Sequence, residues 1–251
     1  MSAVGRLSLL FLALSFLLTL TRILASLTGL HLPLSLMIPI TSTIFISSLL
    51  SSMDSLGWRG SALLLAVSAT IGLAMEILGV LYGIPFGNYR YSEESPIPMI
   101  LGLVPVNIPL FWFVIAYSSA SITNTILRPR GEALWRGLAS LVDGLCATSW
   151  DLIMDPVQVN VMRAWRWTPE GRFFGVPLSN FLGWILVVWL ITFTFRTIHH
   201  GEWGETDIPL LIYLQLWFAT TAAAAVRRHP EYLPAGVPMI IFTILYLIRR
   251  R

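Results

Sequence analysis

Long apolar runs alternate along this chain with short stretches rich in arginine, proline, glycine or acidic residues. A helix needs about 20 residues to cross about 30 Å of hydrocarbon. By that measure the pattern predicts eight spans, at residues 6–27, 32–50, 60–82, 100–123, 134–155, 178–198, 208–226 and 234–249. The second span holds Pro33 and Pro39 and the last holds Pro238, so either is expected to be tilted, broken or partly interfacial. Seven spans stay open as the alternative count. The first run, from about Leu7 to Leu27 behind Arg6, has the outline of a signal peptide. It exceeds a signal core in length and further membrane runs follow it, so it reads as a retained first span. The expected fold is all-α, a polytopic helix bundle forming a single integral-membrane domain over residues 1–251.

Two connections are too rich to be simple turns. One is GIPFGNYRYSEESPIPMILGLVPVNIPLFW, from Gly83 to Trp112, and the other is MRAWRWTPEGRFFGVPLSNFLGW, from Met162 to Trp184. Each is read either as a cap over a central cavity or as a fit to the headgroup layer. No internal repeat suggests the inverted halves of a transporter.

Composition agrees with a membrane protein. The chain is 56% hydrophobic and 12% charged, against about 25% charged for a soluble domain. Its net charge of +3 comes from 16 basic residues, all arginine, set mainly between apolar runs. No continuous basic tract points to nucleic acid. With eight spans, the side of the termini carries Arg6, Arg59, Arg128, Arg130, Arg136, Arg196 and Arg249 to Arg251. The other side carries Arg22, Arg90, Arg163, Arg166, Arg172, Arg227 and Arg228. This small excess leans towards cytoplasmic termini in a multi-pass cell-membrane protein. The lone Cys146 excludes an intrachain disulfide, and there is no Cys-x-x-Cys spacing.

Candidate chemistry lies in the carboxyl groups. Glu76, in ATIGLAMEILGVLYG, falls about four turns into the third span. A carboxyl in hydrocarbon must face protein or water, and burial favours its neutral acid form. It is either a general acid or a group that locks spans together. Asp151 and Asp155 share one helix face at i,i+4, and Asp143 lies about 12 Å away on a broadly similar side. The three form an acidic stripe in which neighbouring carboxyls can share protons unequally. Pro156 leaves Asp155 an equal reading as the cap of a new helix beginning there. Trp165, Arg166 and Trp167 are read as an interfacial belt, with an aromatic slot as the sharper alternative. His199 and His200, beside Glu202, Glu205 and Asp207, lack a defined metal geometry and read as a solvated loop. No nucleotide motif is present.

These passages bring a family into view. MEILGVLYGIPFGNYRY, PVNIPLFWFVIAY, SWDLIMDPVQVNVMRAWRW and GRFFGVPLSNFLGW, from about residue 69 to 189, resemble the membrane carotenoid-biosynthesis proteins that include carotenoid 1,2-hydratases. The family pattern sets carboxyls at Glu76, Asp151 and Asp155, with Tyr89, Tyr91, Trp165, Trp167 and Asn180 in neighbouring motifs. Asn88 adjoins them. The chain departs from that pattern at Glu93–Glu94–Ser95–Pro96 and at Met162–Arg163–Ala164, which bears on the substrate end group more than on the fold.

The resemblance implies a hydro-lyase that hydrates the terminal C1–C2 alkene of an acyclic carotenoid end group without nucleotide or metal. Glu76 is the expected acid and Asp151 the expected water-orienting base, with Asp143 or Asp155 in support, and the roles are reversible. Asn88, Tyr89, Tyr91, Trp165, Trp167 and Asn180 are the expected substrate-binding residues. The implied partners are a long apolar carotenoid, water, membrane lipids and other enzymes of the same pathway. A carotenoid cyclase or other prenyl-modifying enzyme, and a proton-coupled or lipid transporter, are the competing readings.

Overall fold

A serine-rich segment and one glycine set the shape of the amino-terminal half. In the computed structural model, which describes residues 1–30, 32–93, 95–128, 132–201 and 203–250, α1 is Ala3–Leu27 and α2 is Met37–Tyr82. Glu94, Arg130, Glu202 and Arg251 of the sequence reading lie outside the described residues. Within α2, Gly57 has φ 70° and ψ 164°, outside any helical region. The hydroxyls of Ser52 and Ser61 lie 2.5 Å apart, whereas nine residues of straight helix advance about 13.5 Å. The arms 37–56 and 58–82 therefore fold back on one another at Gly57. Ser8 and Ser47 exchange hydrogen bonds to each other's carbonyl, at 2.8 and 2.9 Å, and fasten α1 to the first arm. The Tyr117 hydroxyl joins Ser51 at 2.8 Å and Ser55 at 3.1 Å. Such hydroxyl bridges hold helices together where neighbouring lipid is as apolar as the side chains.

Five more helices follow: α3 Ile108–Leu127, α4 Ala133–Val157, α5 Leu178–Ile198, α6 Ile208–Val226 and α7 Val237–Arg250. Six helical stretches among the described residues are long and apolar enough to cross a membrane, and Leu34–Tyr82, at 49 residues, supplies two crossings once folded at Gly57. Helix α4 is more polar. It packs against α3, α5, α6 and α7, so protein surrounds its three aspartates.

Counting both arms of α2, the chain runs eight times between two ends. Ser2 bonds Asp54 at 2.5 Å, the Gly204 N–H donates to the Ser55 carbonyl, and Arg250 Nε donates to Asp207 at 2.9 Å. These contacts gather both termini and the Gly57 turn at one end. At the other end, β1 (Tyr89–Tyr91) pairs antiparallel with β4 (Trp165–Trp167), and β2 (Met99–Ile100) with β3 (Val104–Pro105). This end forms the cap that the two long connections suggested.

Several boundaries differ from the expected ones. The fourth span begins at Ile108 rather than 100, because the tight β2–β3 hairpin occupies the earlier residues, with Leu101 and Gly102 at positive φ. Pro39 does not break the second span; it falls in the first turn of α2, where the missing N–H costs little. Pro238 likewise sits in the first turn of α7. Pro156 does not start a new helix, since α4 runs through it and continues as a π-helical turn, Gln158–Met162. Asn160 Nδ2 donates to the Pro156 carbonyl at 3.0 Å and helps the chain tolerate the interruption. Asp155 is therefore not a cap.

Candidate active site

One face of the second arm of α2 carries Gly72, Glu76 and Gly79, spaced i, i+4 and i+7. A Cβ at Gly72 would come within 2.4 Å of the Trp112 ring, and one at Gly79 within 2.8 Å of Phe86 and Tyr89. The two glycines open notches into which those rings settle, with the carboxyl group between them. After Tyr82, Gly83 adopts φ 72° and ends the helix, donating back to the Gly79 carbonyl at 2.9 Å. The returning chain brings Tyr89 and Tyr91 over the face just described.

Glu76 therefore receives three donors. The Tyr89 and Tyr91 hydroxyls both donate to Oε2, the latter at 2.6 Å, and Trp112 Nε1 donates to Oε1 at 3.0 Å. An ionised carboxylate offers acceptors alone, which this set of donors suits.

The second group of carboxyls stands on α4. Asp151 and Asp155 are one turn apart and buried, with their carboxyl groups within hydrogen-bonding reach of each other. Asn180, in the first turn of α5, bridges them: its Nδ2 donates to Asp151 Oδ2 at 2.8 Å and to Asp155 Oδ2. Trp165 and Asp155 line one cavity. Asp151 Oδ1 is buried and receives no donor among the described residues. A proton shared with Asp155 would satisfy it.

The strand pairing explains the aromatic triplets. Tyr89 faces Trp167, Arg90 faces Arg166 and Tyr91 faces Trp165. Successive residues on a strand point to opposite faces. The aromatic residues turn inward, with ring pairs at 5.8 and 5.9 Å, while Arg90 and Arg166 are exposed. Trp165 and Trp167 thus turn their rings into the protein, against Tyr91 and Tyr89. Trp167 Nε1 is fixed to the Phe86 carbonyl at 2.9 Å, and Trp112 packs on Trp184 at 4.6 Å.

Together these groups wall a cavity of about 450 Å³ beneath the cap. Glu76, Tyr89, Tyr91, Asp155, Trp165, Trp167 and Asn180 line it, joined by Trp112, Trp150 and Trp184. Asp151 stands behind Asp155, off the wall. Asn88 is also off the wall, its carbonyl accepting from the Thr168 N–H at 2.9 Å. Asp143 belongs elsewhere: it forms a buried ion pair with Arg196, which also donates hydrogen bonds to Ser140 Oγ at 3.1 Å and Asn124 Oδ1 at 2.9 Å. That pair withdraws Arg196 from the flanking arginines and leaves the two ends nearly even in basic charge. Among the described residues no cluster of three His, Cys, Asp or Glu could hold a metal. Glu205 and Asp207 are instead paired with Arg250.

Trp112 as a partner of Glu76 had no signal in the sequence beyond the passage that contains it. The Tyr-Arg-Tyr and Trp-Arg-Trp alternation did carry a signal, since period two is that of a strand.

The profile of carotenoid biosynthesis proteins matches residues 34–245, most of the chain and all the residues of this site. The chain belongs to this family. Among curated relatives, the bisanhydrobacterioruberin hydratase of Haloarcula japonica is 30% identical over 129 residues. That alignment takes in 51% of this chain and 42% of the relative, so the likeness spans less than half the relative's length. No solved structure matches. The matched region of this carotenoid biosynthesis protein begins after α1 and runs well beyond the motif-bearing centre.

Proposed function

We propose that the protein hydrates the terminal C1–C2 double bond of an acyclic carotenoid end group to a tertiary alcohol. The observation that carries this reading is the pair of unlike carboxyl sites on one aromatic cavity: Glu76 beneath three donors, and Asp155 backed by Asp151 and Asn180. A cavity of about 450 Å³ suits the end of a long chain, with the remainder lying in the bilayer.

An isolated alkene does not react with water until it is protonated. The Asp151–Asp155 pair shares a proton, and Asp155, on the wall, delivers it to C2. Positive charge develops on tertiary C1, where the faces of Trp112, Trp165 and Trp167 and the Glu76 carboxylate stabilise it. Water adds through oxygen to C1 and gives its extra proton to Glu76. The proton then returns from Glu76, which stays hydrogen-bonded to the Tyr89 and Tyr91 hydroxyls, to the aspartate pair across the cavity that Glu76 and Asp155 both line. The balance is one alkene and one water to one alcohol. The acid and base roles are reversed from those favoured by the sequence, because Glu76 is surrounded by donors whereas the aspartates need a proton between them.

The test supplies purified protein with acyclic carotenoids in heavy-oxygen water, without nucleotide. A tertiary alcohol carrying the heavy oxygen is expected. A cyclic isomer of unchanged mass would overturn hydration in favour of cyclisation. Glu76→Gln should lower turnover by roughly 10²–10⁴-fold.

A further inference from the structure

The chemistry above leaves a charged feature of the same cavity unused. Arg22 and Arg227 lie on its wall, and an acyclic carotenoid offers no charge for them. The ion pairs among the described residues join Arg196 with Asp143, His229 with Glu231, and Arg250 with Glu205 and Asp207. Arg22 and Arg227 take part in none of them, and among the described residues no side-chain hydrogen bond holds either guanidinium.

Helices α1 and α6 run side by side in the same direction. The Gln215 side-chain amide is hydrogen-bonded to Ser15 Oγ at 2.7 Å, and Phe16 meets Phe218 with ring centroids 5.3 Å apart. Arg22 lies six residues beyond Phe16, about 9 Å along its helix, and Arg227 nine beyond Phe218, about 13.5 Å. Both thus reach the rim at the cap end within about a turn of each other, and their like charges repel. Arg22 is half-buried and its Nη1 is fully enclosed without an acceptor. Arg227, at the carboxy-terminal cap of α6, gains some compensation from the helix dipole. Arg22 lies more than a turn before the end of α1, and its enclosed Nη1 reaches no carbonyl.

An anion between the two guanidinium groups would satisfy the orphan donor and relieve the repulsion together. A planar guanidinium matches phosphate oxygens in a two-pronged fashion. The α1, α2 and α6 walls beside the two arginines carry Ile23, Ile40, Leu216, Ala219 and Ala223 together with Thr19 and Thr220. The geometry points to a phosphate-binding site between Arg22 and Arg227, at the rim of the cavity. The phosphate is that of a membrane phospholipid whose acyl chain follows the α1–α6 wall, or a free phosphate ion. A lipid held there occupies the rim past which an apolar substrate enters.

The full-length protein, stripped of lipid in a neutral detergent and phosphate-free buffer, is offered phosphatidylglycerol or a diacylglycerol with the same acyl chains. Bound lipid is read by native mass spectrometry. Retention of phosphatidylglycerol over diacylglycerol is expected, and combined Arg22→Gln and Arg227→Gln should weaken it at least about tenfold. In a second arm, inorganic phosphate is added to the lipid-free protein and the melting temperature is followed. A rise in the parent that is absent from the double variant assigns the site to free phosphate as well. Phosphatidylglycerol retention without that rise assigns it to lipid. Equal retention of diacylglycerol, retention unchanged in the double variant, or no response to either phosphate source overturns the proposal. Should the double variant fail to fold, Arg227→Gln alone, at an exposed position, is read by the same ratio. The selectivity of the parent protein stands independently of any variant.

Discussion

The indole N–H of Trp112 reaches Glu76 Oε1 at 3.0 Å because the ring lies across α2 at Gly72, where a single added methyl would sit 2.4 Å from it. The residue that lacks a side chain thus sets the position of the carboxyl one turn away. Gly72→Ala is expected to displace Trp112 and to lower stability by about 1–3 kcal/mol, the usual range for overpacking. Turnover should fall with it. Thermal unfolding in detergent and the hydration assay check the two effects; unchanged values in both would show that the notch is not needed.

The sequence favours Asp151 over Asp155 for chemistry, yet of the two only Asp155 is on the cavity wall. Asp155→Asn should remove the proposed proton donor and lower turnover by roughly 10²–10⁴-fold. Asp151→Asn keeps a polar neighbour for Asp155 and should leave turnover at least about tenfold higher than that of the first variant. Initial rates on the same carotenoid decide the matter, and an inverted order would move the proton donor to Asp151.

The Asp143–Arg196 pair stands apart from the site and serves the bundle. Replacing Asp143 alone with leucine leaves a buried guanidinium unpaired and should cost about 3–5 kcal/mol. Adding Arg196→Met to that variant should recover most of the loss, since an apolar pair of similar volume is often neutral. Denaturation of the single and double variants measures it. Equal instability of both would mean that Arg196 is needed for more than charge balance.

His199 follows α5, stacks on Phe195 at 4.8 Å and packs beside Gly60. Burial, aided by the charge of His200, holds its imidazole below the usual histidine range. The unfolded chain therefore binds this proton more readily than the folded one. The contribution is fully present above the unfolded pKa, about 6.5, and is lost as pH falls below it. Melting temperature should drop on acidification through that range, and His199→Phe should flatten the drop. An identical profile in the variant would assign the effect to other groups.

The sequence by itself determined the helical membrane bundle, because apolar runs of about 20 residues have few other stable arrangements in lipid. It also marked Glu76, Asp151 and Asp155, since a carboxyl in such a run stands out against its surroundings. It located Asn180, Tyr89, Tyr91 and both tryptophans of the cap through motifs alone. Tertiary structure decided which of these groups meet. The reversal at Gly57 places the two arms of α2 side by side. The pairing of Tyr89–Tyr91 with Trp165–Trp167 joins residues more than seventy positions apart. Asp143 shares α4 with the other aspartates, but Arg196 from α5 takes it into a separate ion pair. Helical spacing fixes which face a side chain occupies, but the partner across that face comes from another helix, and no local periodicity encodes it.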